Sequence, residues 1–476
     1  MSSMRSTPYI HIYSRNDDVT GSCSLVTSHL SNKRTIRFLV DCGAFQGQRD
    51  NQNLLNEYVP FNTEKIDFVL VTHTHLDHVG LLPLLVKQGY NKNIFMSFPT
   101  YNLIDIPLKD AYRINSKSVN TAIYDKEDLN KTFSLMVGVP FNKILKPVKG
   151  VSVIFNKNGH LVGASSIEVI IHNPTGEDIK LLFTGDYKEK NVFFDVGKVQ
   201  SEDNSSSPYS AIICESTYGD VDSTDSMFHP CMLENISKAL WDGKNVISPT
   251  FGIGKTQEVL YLLKCGQEKN LFPEDTNFYL VGGIAQEATK RFQYADLGIN
   301  LEMKNFIPKN FQMLKGHQTS TDIIGLFDDS KPNVIIGPSG MADAGGIKKF
   351  IEKAISRDDI LVQLTGYCDS DSIAAKLLST PKGSNMLIDG KTITKRCQVE
   401  ISKEISLHAK RDELKKMLEN KNTKSILITH GEANVRKKFR EYLLLNNICS
   451  QIEVLNSDYA FEIDSNGIRD VFPSNF

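Results

Sequence analysis

Short apolar runs separated by polar turns fill the first part of the chain. The four clearest runs cover residues 35–43, 65–73, 166–174 and 179–187. Val, Ile, Leu and Phe dominate them, which predicts β-strands, and the turn residues at 174–178 predict that the last two runs form a hairpin. One helix is predicted after Asp77 and His78, over an apolar segment that ends at Gly89.

The pattern changes after a polar segment at 201–210, which predicts a loop. Helical periodicity at 256–267 and 345–355 alternates there with strand-like runs, and such alternation is typical of an α/β domain. Strand-like runs return from about residue 386, and a basic helix is predicted at 433–444. We therefore expect an α/β domain inserted within a second domain.

The densest group of chemically active residues is the segment Thr72–His78, with the sequence THTHLDH. His73 and His75 are two residues apart at the end of an apolar run, so in an extended chain they point to the same side. Asp77 and His78 begin the following turn. Imidazole and carboxylate groups suit Zn²⁺, Mn²⁺ or Fe, and two such pairs in one segment indicate a site for two metal ions.

Four apolar runs end in a small polar group that contains a chemically active residue. These residues are His73, Asp186, Glu215 and His430. In α/β sheets, ligands gather at the carboxyl ends of strands, where side chains from separate elements converge. We therefore expect these four residues to meet.

Composition and charge narrow the functional classes. The 54 Lys+Arg against 56 Asp+Glu leave a net charge of −2, so any polyanion must be bound locally rather than by a global field. The eight cysteines are scattered without a CxxC pair, which is typical of a reducing compartment. No signal-peptide pattern and no run of about 18 apolar residues occurs. These features predict a cytoplasmic protein that does not bind membranes.

The spaced motifs resemble the metallo-β-lactamase fold and, more narrowly, its β-CASP nucleases, which include the endonuclease subunit of the pre-mRNA 3′-end processing complex and bacterial ribonuclease J. The matching positions are Asp41 in LVDCG, the segment HTHLDH, His160 in NGHLVGAS, Asp186 in FTGD, Glu215 in CESTYG, His408 in SLHAKRDEL and His430 in THGE. The resemblance runs from about residue 19 to 443.

This resemblance implies an α/β fold with two domains. Residues 1–215 and 386–476 would form one discontinuous αββα metallo-β-lactamase sandwich, and residues 216–385 would form the inserted β-CASP domain. Substrate would lie in the cleft between the two domains.

The resemblance also implies seven metal ligands in two groups that share one carboxylate. They are His73, His75 and His160 for one ion, Asp77, His78 and His430 for the other, and Asp186 as the bridge. Zn²⁺ is the expected ion, with Mn²⁺ or Fe as alternatives. Asp41 would bond the ligand imidazoles and fix their orientation.

The implied reaction is hydrolysis of a phosphodiester bond in single-stranded RNA. A hydroxide held between the two ions would attack phosphorus, and His408, oriented by Glu215, would protonate the leaving oxygen. The catalytic residues that the resemblance implies are therefore His408, Glu215, Asp41 and Asp77. The histidine at 430 favours RNA, because family members acting on RNA carry histidine there and the DNA-repair branch usually does not.

Four residues are candidates for holding the substrate: Lys255, Ser339, Arg436 and Lys437. Lys255 stands where the family usually has arginine, and lysine lacks the bidentate phosphate fork of arginine. The basic residues of the helix at 433–444 could contact phosphates or could form a solvated helix face. A homodimer or a partner in a processing complex is the further expectation.

Two other functions stay open at the level of the sequence. The same metal cluster also serves hydrolases of small esters or thioesters in this superfamily, although an insert of this size argues against them. Departures from the family pattern in the insert also allow a catalytically silent subunit that binds RNA. Such subunits typically lose metal ligands, whereas this chain keeps them.

Overall fold

The computed structural model describes residues 8–15, 18–30, 34–46, 52–116, 123–174, 176–197, 207–222, 230–316, 318–366, 368, 371–402 and 405–474. The chain divides into two compact units, residues 1–223 with 408–476 and residues 224–407. Most of the loop predicted at 201–210 lies outside the described residues.

The secondary structure of the described residues follows the chain in three stretches. The first contains β1 (Tyr9–Ser14), β2 (Ser24–His29), β3 (Thr35–Val40), α1 (Gln52–Leu55), β4 (Phe68–Leu70), α2 (Leu76–Val79), α3 (Leu82–Lys87), β5 (Ile94–Ser97), α4 (Phe98–Tyr101), α5 (Asp105–Asn115), α6 (Lys126–Leu135), β6 (Met136–Val139), β7 (Ile144–Leu145), β8 (Val151–Lys157), β9 (Ser165–Ile171), β10 (Ile179–Phe183) and β11 (Ala211–Cys214). The second contains α7 (Pro230–Trp241), β12 (Asn245–Pro249), α8 (Lys255–Glu268), β13 (Asn277–Leu280), α9 (Gly283–Tyr294), β14 (Phe311–Met313), α10 (Ser320–Phe327), β15 (Asn333–Gly337), α11 (Gly345–Ala354), β16 (Ile360–Leu364), α12 (Ile373–Ser379), β17 (Asn385–Ile388), β18 (Lys391–Thr394) and β19 (Gln398–Ile401). The third contains α13 (Arg411–Glu419), β20 (Ser425–Ile428), α14 (Ala433–Leu445), β21 (Gln451–Val454), β22 (Tyr459–Asp464) and β23 (Gly467–Pro473).

The discontinuous unit contains two sheets packed face to face. The strand orders are β23-β22-β1-β2-β3-β4-β5-β6 and β21-β20-β11-β10-β9-β8-β7. Alternation along β3 shows why both faces are covered: Phe38 and Val40 pack in the core between the sheets, whereas Leu39 packs on the opposite side against the helices. Helices α3, α5 and α6 cover that outer face, and α13 and α14 cover the second sheet. The predicted αββα sandwich is therefore confirmed.

The strands predicted from apolar runs in this unit are present. Ile171 pairs with Ile179, so β9 and β10 form the predicted antiparallel hairpin. The single helix predicted after His78 is instead two helices. Gly80 ends α2, which contains His78, and Pro83 lies in the first turn of α3, where its missing N–H costs no hydrogen bond.

The direction of the strands determines where the functional residues lie. β3, β4 and β5 run parallel, and so do β10, β11 and β20. Each group of strands therefore ends at one edge of its sheet. The loops that follow these strands contain the motif residues, so parallel pairing places residues far apart in sequence at neighbouring strand ends.

The second unit is a six-stranded parallel sheet in the order β14-β13-β15-β12-β16-β19. Helices α10, α11 and α12 supply one apolar core against it. β19 pairs with β16 through residues 398–401, so this unit continues past the boundary at residue 385 that the sequence suggests. Among the described helices, none has both the length and the apolar composition needed to span a membrane.

Candidate metal centre

Asp41 organises the edge of the first sheet directly after β3. Its carboxylate accepts hydrogen bonds from the Thr72 backbone N–H at 2.7 Å and from Thr72 Oγ1 at 2.8 Å. It also lies 2.7 Å from Nδ1 of His78, a hydrogen bond that the imidazole must donate because the carboxylate can only accept. Asp41 has a positive φ of 62°, a conformation that aspartate tolerates better than most residues. One buried carboxylate thus connects β3 to the histidine segment.

The segment after β4 turns through His75 into α2. His75 is the N-cap residue of this four-residue helix, and Asp77 and His78 are its second and third residues. Gly43 lies so close to this helix that a Cβ atom added to it would overlap the backbone carbonyl of Asp77. The absence of a side chain at Gly43 therefore allows the loops after β3 and β4 to approach each other.

The first ligand group comprises His73, His75, His160 and Asp186, whose candidate ligand atoms lie within 4.8 Å of one another. Nε2 of His160 lies 3.2 Å from Nδ1 of His75. Oδ2 of Asp186 lies 3.4 Å from Nε2 of His73 and 3.6 Å from Nε2 of His160. Three imidazoles and one carboxylate oxygen therefore converge on one point.

The second group comprises Asp77, His78, His430 and the same Asp186. The other oxygen of Asp186, Oδ1, lies 3.2 Å from Nε2 of His78 and 3.5 Å from Nδ1 of His430. Oδ2 of Asp77 lies 3.5 Å from Nε2 of His430. Each oxygen of Asp186 thus faces a different ligand group, which is the arrangement a bridging carboxylate needs.

Two threonine hydroxyls determine which ring nitrogens can bind a cation. Thr72 Oγ1 donates its single proton to Asp41, so its 3.0 Å contact with Nδ1 of His73 requires the imidazole to be the donor. Thr217 Oγ1 similarly donates to Glu215 at 2.7 Å and lies 3.0 Å from Nδ1 of His430. The protons on Nδ1 leave lone pairs on Nε2 of both rings.

The atoms that face the centre fit metal binding. In the described part of the chain, both oxygens of Asp186 and Nε2 of His73 are buried without a hydrogen-bond partner. Nε2 of His78 and Nε2 of His430 lie 3.4 Å apart, although the Nδ1 hydrogen bonds leave a lone pair on each. Unpaired acceptors packed together are unfavourable by themselves and become favourable around a divalent cation.

Burial and charge shift the pKa values of these groups in different directions. Burial is the largest influence on His73 and, with the neighbouring His78, lowers the pKa of His73 well below its usual value. Burial also lowers the pKa of His78, but Asp186 and Asp41 outweigh it and raise that pKa well above the usual value. Protons and metal ions therefore compete for His78.

His408 and Glu215 form a hydrogen-bonded pair beside the ligand groups. Nδ1 of His408 lies 3.0 Å from Oε2 of Glu215, and Nε2 of His408 lies 3.9 Å from Oδ2 of Asp186. Glu215 is held in place by the Tyr187 backbone N–H at 2.6 Å and by Thr217. Burial opposes protonation of His408, but Glu215 and Asp186 outweigh it and raise the pKa of this imidazole.

Three family models match successive parts of the chain. They describe a metallo-beta-lactamase superfamily domain over residues 30–199, a Beta-Casp domain over 256–377 and a Zn-dependent metallo-hydrolase RNA specificity domain over 392–448. The chain belongs to the β-CASP branch of the metallo-β-lactamase superfamily. The family resemblance of the motifs is thus confirmed.

Relatives of this β-CASP chain come from all three domains of life, and three of them illustrate the range. Ribonuclease TTHA0252 of Thermus thermophilus is 27% identical over 429 residues, covering 87% of this chain and 91% of the relative. Transcription termination factor FttA of Methanosarcina mazei is 28% identical over 359 residues, covering 72% of this chain and 53% of the relative. Endoribonuclease YSH1 of Candida glabrata is 25% identical over 468 residues, covering 92% and 58%. The match therefore spans little more than half the length of the last two.

Two of the four candidate substrate-binding residues of this β-CASP chain form hydrogen bonds with its own backbone carbonyls. Lys255 is buried at the start of α8, and its Nζ donates to the Ile405 carbonyl at 2.7 Å. Arg436 is buried in α14 and donates to the Leu455 carbonyl at 3.1 Å. Both cations are thus buried among protein atoms in this structure, and a role for them in substrate binding stays a prediction.

The other two candidates remain predictions. Ser339 is half-buried after β15, where its hydroxyl accepts from the backbone N–H groups of Asp343 and Ala344 at 3.1 and 3.3 Å. Lys437 is exposed on α14. Its neighbour Lys438 forms an ion pair with Asp220 at 3.0 Å, so part of this basic helix is used for local charge pairing.

Three residues inside the sequence motifs support the centre, although their residue types alone do not assign them a role. Thr72 and Thr217 fix the protonation of ligand imidazoles, as described above. Asn158 accepts from the His160 backbone N–H at 3.0 Å and donates to the Asp186 carbonyl at 3.1 Å, so it connects two ligand loops. Each of the three lies within two residues of a motif residue, and this proximity was the signal available in the sequence.

Proposed function

We propose that this chain is a metal-dependent ribonuclease that hydrolyses phosphodiester bonds of single-stranded RNA, with two Zn²⁺ ions at its centre. The observation that carries the proposal is the position of Asp186. Its two oxygens face two separate groups of ligand atoms, and the hydrogen-bonded His408–Glu215 pair begins 3.9 Å from the same carboxylate. A metal site and a proton donor so close together suit hydrolysis.

The proposed ligands follow the two groups of the site. His73, His75 and His160 would hold one ion, Asp77, His78 and His430 would hold the other, and Asp186 would bridge them. Two divalent cations held by these residues would lower the pKa of a water molecule and neutralise charge on a phosphodiester. Asp41 would act indirectly, because it keeps the proton of His78 on Nδ1 and so keeps Nε2 available.

His408 is the proposed general acid. A leaving oxygen needs a proton as its bond to phosphorus breaks, and a positioned imidazolium supplies one. Glu215 favours the protonated ring by accepting from Nδ1, which leaves the Nε2–H of His408 to face the centre. The raised pKa of His408 favours the protonated ring that a general acid needs.

The choice of RNA as substrate rests on the relatives and on one motif. Two of the relatives described above are named as a ribonuclease and an endoribonuclease, and the model matching residues 392–448 is described as an RNA specificity domain. His430 lies in that matched segment and also belongs to the second ligand group. An RNA strand would therefore be hydrolysed at a site that shares a residue with the region assigned to RNA specificity.

The first test combines metal analysis with an RNA assay. Purified wild type, His75→Ala and His172→Ala are loaded with Zn²⁺ or Mn²⁺ and incubated with labelled single-stranded RNA. His172 is a matched control because its partly exposed ring pairs with Asp178 at 2.9 Å rather than with any candidate ligand. We expect the wild type and His172→Ala to cleave RNA and His75→Ala to be inactive. Equal inactivity of all three proteins with metal bound would refute the proposal.

The alternatives are outcomes of the same experiment. Turnover of acyl esters or thioesters without phosphodiesterase activity would identify a small-molecule hydrolase. Fewer than about one metal ion per chain, with RNA binding intact, would identify a silent subunit. A circular RNA separates two modes of cleavage, because only an endonuclease can open it.

Two further expectations belong to this proposal. In the part of the chain that the structure describes, none of the eight cysteines forms a disulfide, which suits a reducing compartment, and we infer that the protein acts in the cytoplasm. Association as a homodimer or with a processing complex stays a prediction, which sedimentation of the purified protein with and without RNA would test.

A further inference from the structure

Two aromatic side chains are exposed directly after β5, the strand that pairs with β4, which leads into the histidine segment. Phe98 and Tyr101 lie in α4, and 52% and 44% of their respective surfaces are exposed. We propose that this aromatic pair is a stacking platform for bases of the RNA strand whose phosphate lies at the metal centre. The inference rests on the proposed ribonuclease function and adds a substrate-binding site to it.

The backbone of α4 is fixed to the loop that contains His160. Ser97 Oγ caps the helix by accepting from the Thr100 backbone N–H at 3.2 Å. Ser97 Oγ and Thr100 Oγ1 also both donate to the carbonyl oxygen of Gly163, at 2.6 and 2.8 Å. Gly163 and His160 share the short connection between β8 and β9. The short helix that carries the two rings is therefore anchored to the loop of a proposed metal ligand.

The connection between β8 and β9 is itself tied to the histidine segment. The backbone N–H of Ser165 donates to the Thr72 carbonyl at 2.9 Å, one residue before His73. In addition, β5 lies directly beside β4 in the same parallel direction. The aromatic pair is thus joined to the centre by two routes, through the loop and through the sheet.

Gly138 packs closely against Phe98 and Tyr101. It lies in the edge strand β6, and a Cβ atom placed on it would come within 2.8 Å of Cδ1 of Phe98 and 3.2 Å of Cβ of Tyr101. The aromatic pair therefore rests on bare backbone at this position. Close support of this kind limits rotation of the rings, so little conformational entropy is lost when a base stacks on them.

The chemistry around the same loop favours a nucleic-acid strand. At the other end of this loop, the Gly159 N–H donates to the Lys188 carbonyl at 2.7 Å, and Asn191 Nδ2 donates to the Gly159 carbonyl at 3.0 Å. Lys190 lies between Lys188 and Asn191 in the sequence. Its side chain is exposed and makes no ion pair with any residue that the structure describes. Aromatic rings near one end of the loop and a cation near the other end match the bases and phosphates of a single strand.

The proposal is tested by scanning the substrate and the protein together. A short single-stranded RNA is prepared with one abasic nucleotide at each position in turn, and kcat and KM are measured for wild type and for Phe98→Ala/Tyr101→Ala. The pair Phe98→Leu/Tyr101→Leu retains apolar volume and serves if the alanine variant does not fold, and Phe98→Tyr/Tyr101→Phe retains the rings. Tyr459→Ala is the control, because Tyr459 is 46% exposed on β22, five strands from β5, which is roughly 24 Å.

Stacking predicts a specific pattern. For wild type, one or two abasic positions should raise KM by on the order of tenfold each, and the ringless variants should raise KM by a similar factor on intact RNA. In those variants the same abasic positions should have no further effect, whereas Phe98→Tyr/Tyr101→Phe and Tyr459→Ala should behave as wild type.

The outcomes separate this inference from the proposed function. If wild type cleaves RNA but the ringless variants show an unchanged KM and an unchanged abasic profile, the stacking platform is refuted and the ribonuclease function stands. If they lose binding of a protein partner rather than of RNA, the platform is also refuted. If wild type neither binds nor cleaves any RNA, the proposed function fails, and the inference falls with it.

Discussion

Replacing Asp41 by asparagine tests how one buried carboxylate prepares a ligand. The side chain accepts from the Thr72 N–H, from Thr72 Oγ1 and from Nδ1 of His78, all within 2.8 Å. Asparagine has the same shape and tolerates the positive φ of 62° at this position. It can accept with one oxygen but presents an NH₂ group where the second oxygen was. Asp41→Asn therefore changes hydrogen bonding with little change in packing.

The expected loss falls mainly on His78. An amide NH₂ facing Nδ1 favours the tautomer with its proton on Nε2, and that nitrogen can then no longer bind a cation. Loss of such an outer partner weakens metal binding about 10- to 100-fold, which corresponds to roughly 1.4–2.8 kcal/mol. His73 is linked to Asp41 only indirectly among the hydrogen bonds described, through Thr72 Oγ1, whereas His78 contacts the substituted carboxylate itself. One of two metal ions should therefore be lost first.

Metal titration by calorimetry and elemental analysis measures this effect. Asp67→Asn is the matched control, because Asp67 precedes β4 at the opposite end and accepts from the Arg37 N–H at 2.9 Å. We expect Asp67→Asn to bind two ions as wild type does and Asp41→Asn to retain about one under dilute metal. Two ions bound with unchanged affinity in Asp41→Asn would show that this reasoning about the tautomer is wrong.

Three further predictions follow from other contacts. His408→Ala should lower kcat by roughly 10²- to 10⁴-fold without metal loss. Because Glu215 raises the pKa of His408, activity should fall as pH rises through that pKa, and Glu215→Gln should move this fall in the pH–rate profile to lower pH. An unshifted profile would contradict the pairing of His408 with Glu215. The methyl group of Gly43→Ala should overlap the Asp77 carbonyl and reduce both the metal content and the melting temperature. Gly283→Ala has open space around its Cβ position and should change neither quantity. Equal melting curves for the two variants would contradict the close approach at Gly43. Arg436→Met should lower the free energy of unfolding by about 1–3 kcal/mol in denaturant titrations, because it leaves the Leu455 carbonyl unpaired, and should leave KM for RNA unchanged. Lys437→Met should change the free energy of unfolding by less than about 0.5 kcal/mol, and the reverse ranking would contradict a structural role for Arg436.

Local patterns were sufficient for the elements and for the types of ligand. Alternating and continuous apolar runs report burial of a strand, so β3, β9 and β10 could be predicted from neighbouring residues alone. Periodicity predicts a single helix after His78, because it does not reveal the break at Gly80. The sequence suggests a boundary at residue 385, but β19 pairs with β16 and so belongs to the second unit, and this pairing joins residues that are distant in sequence.

Burial of long cationic side chains could not be predicted from the sequence. Lys255 and Arg436 appear in polar or basic contexts, which made an exposed phosphate contact the natural expectation. Their amine and guanidinium groups instead donate to the Ile405 and Leu455 carbonyls. Whether a cation faces solvent or a backbone carbonyl depends on which distant segment packs over it, and composition carries no information about that segment.

The amino-acid sequence by itself determined which chemistry the chain carries: imidazoles and carboxylates at the ends of apolar strands, in the spacing of a known family. Tertiary structure decided how those groups act together. Nε2 of His78 and Nε2 of His430 are separated by 352 positions in the chain yet lie 3.4 Å apart, and hydroxyls of Thr72 and Thr217 determine which nitrogens of their ligand rings are free. Such contacts arise only when two sheets pack together, because hydrogen-bond direction and proton position depend on three-dimensional geometry rather than on residue type.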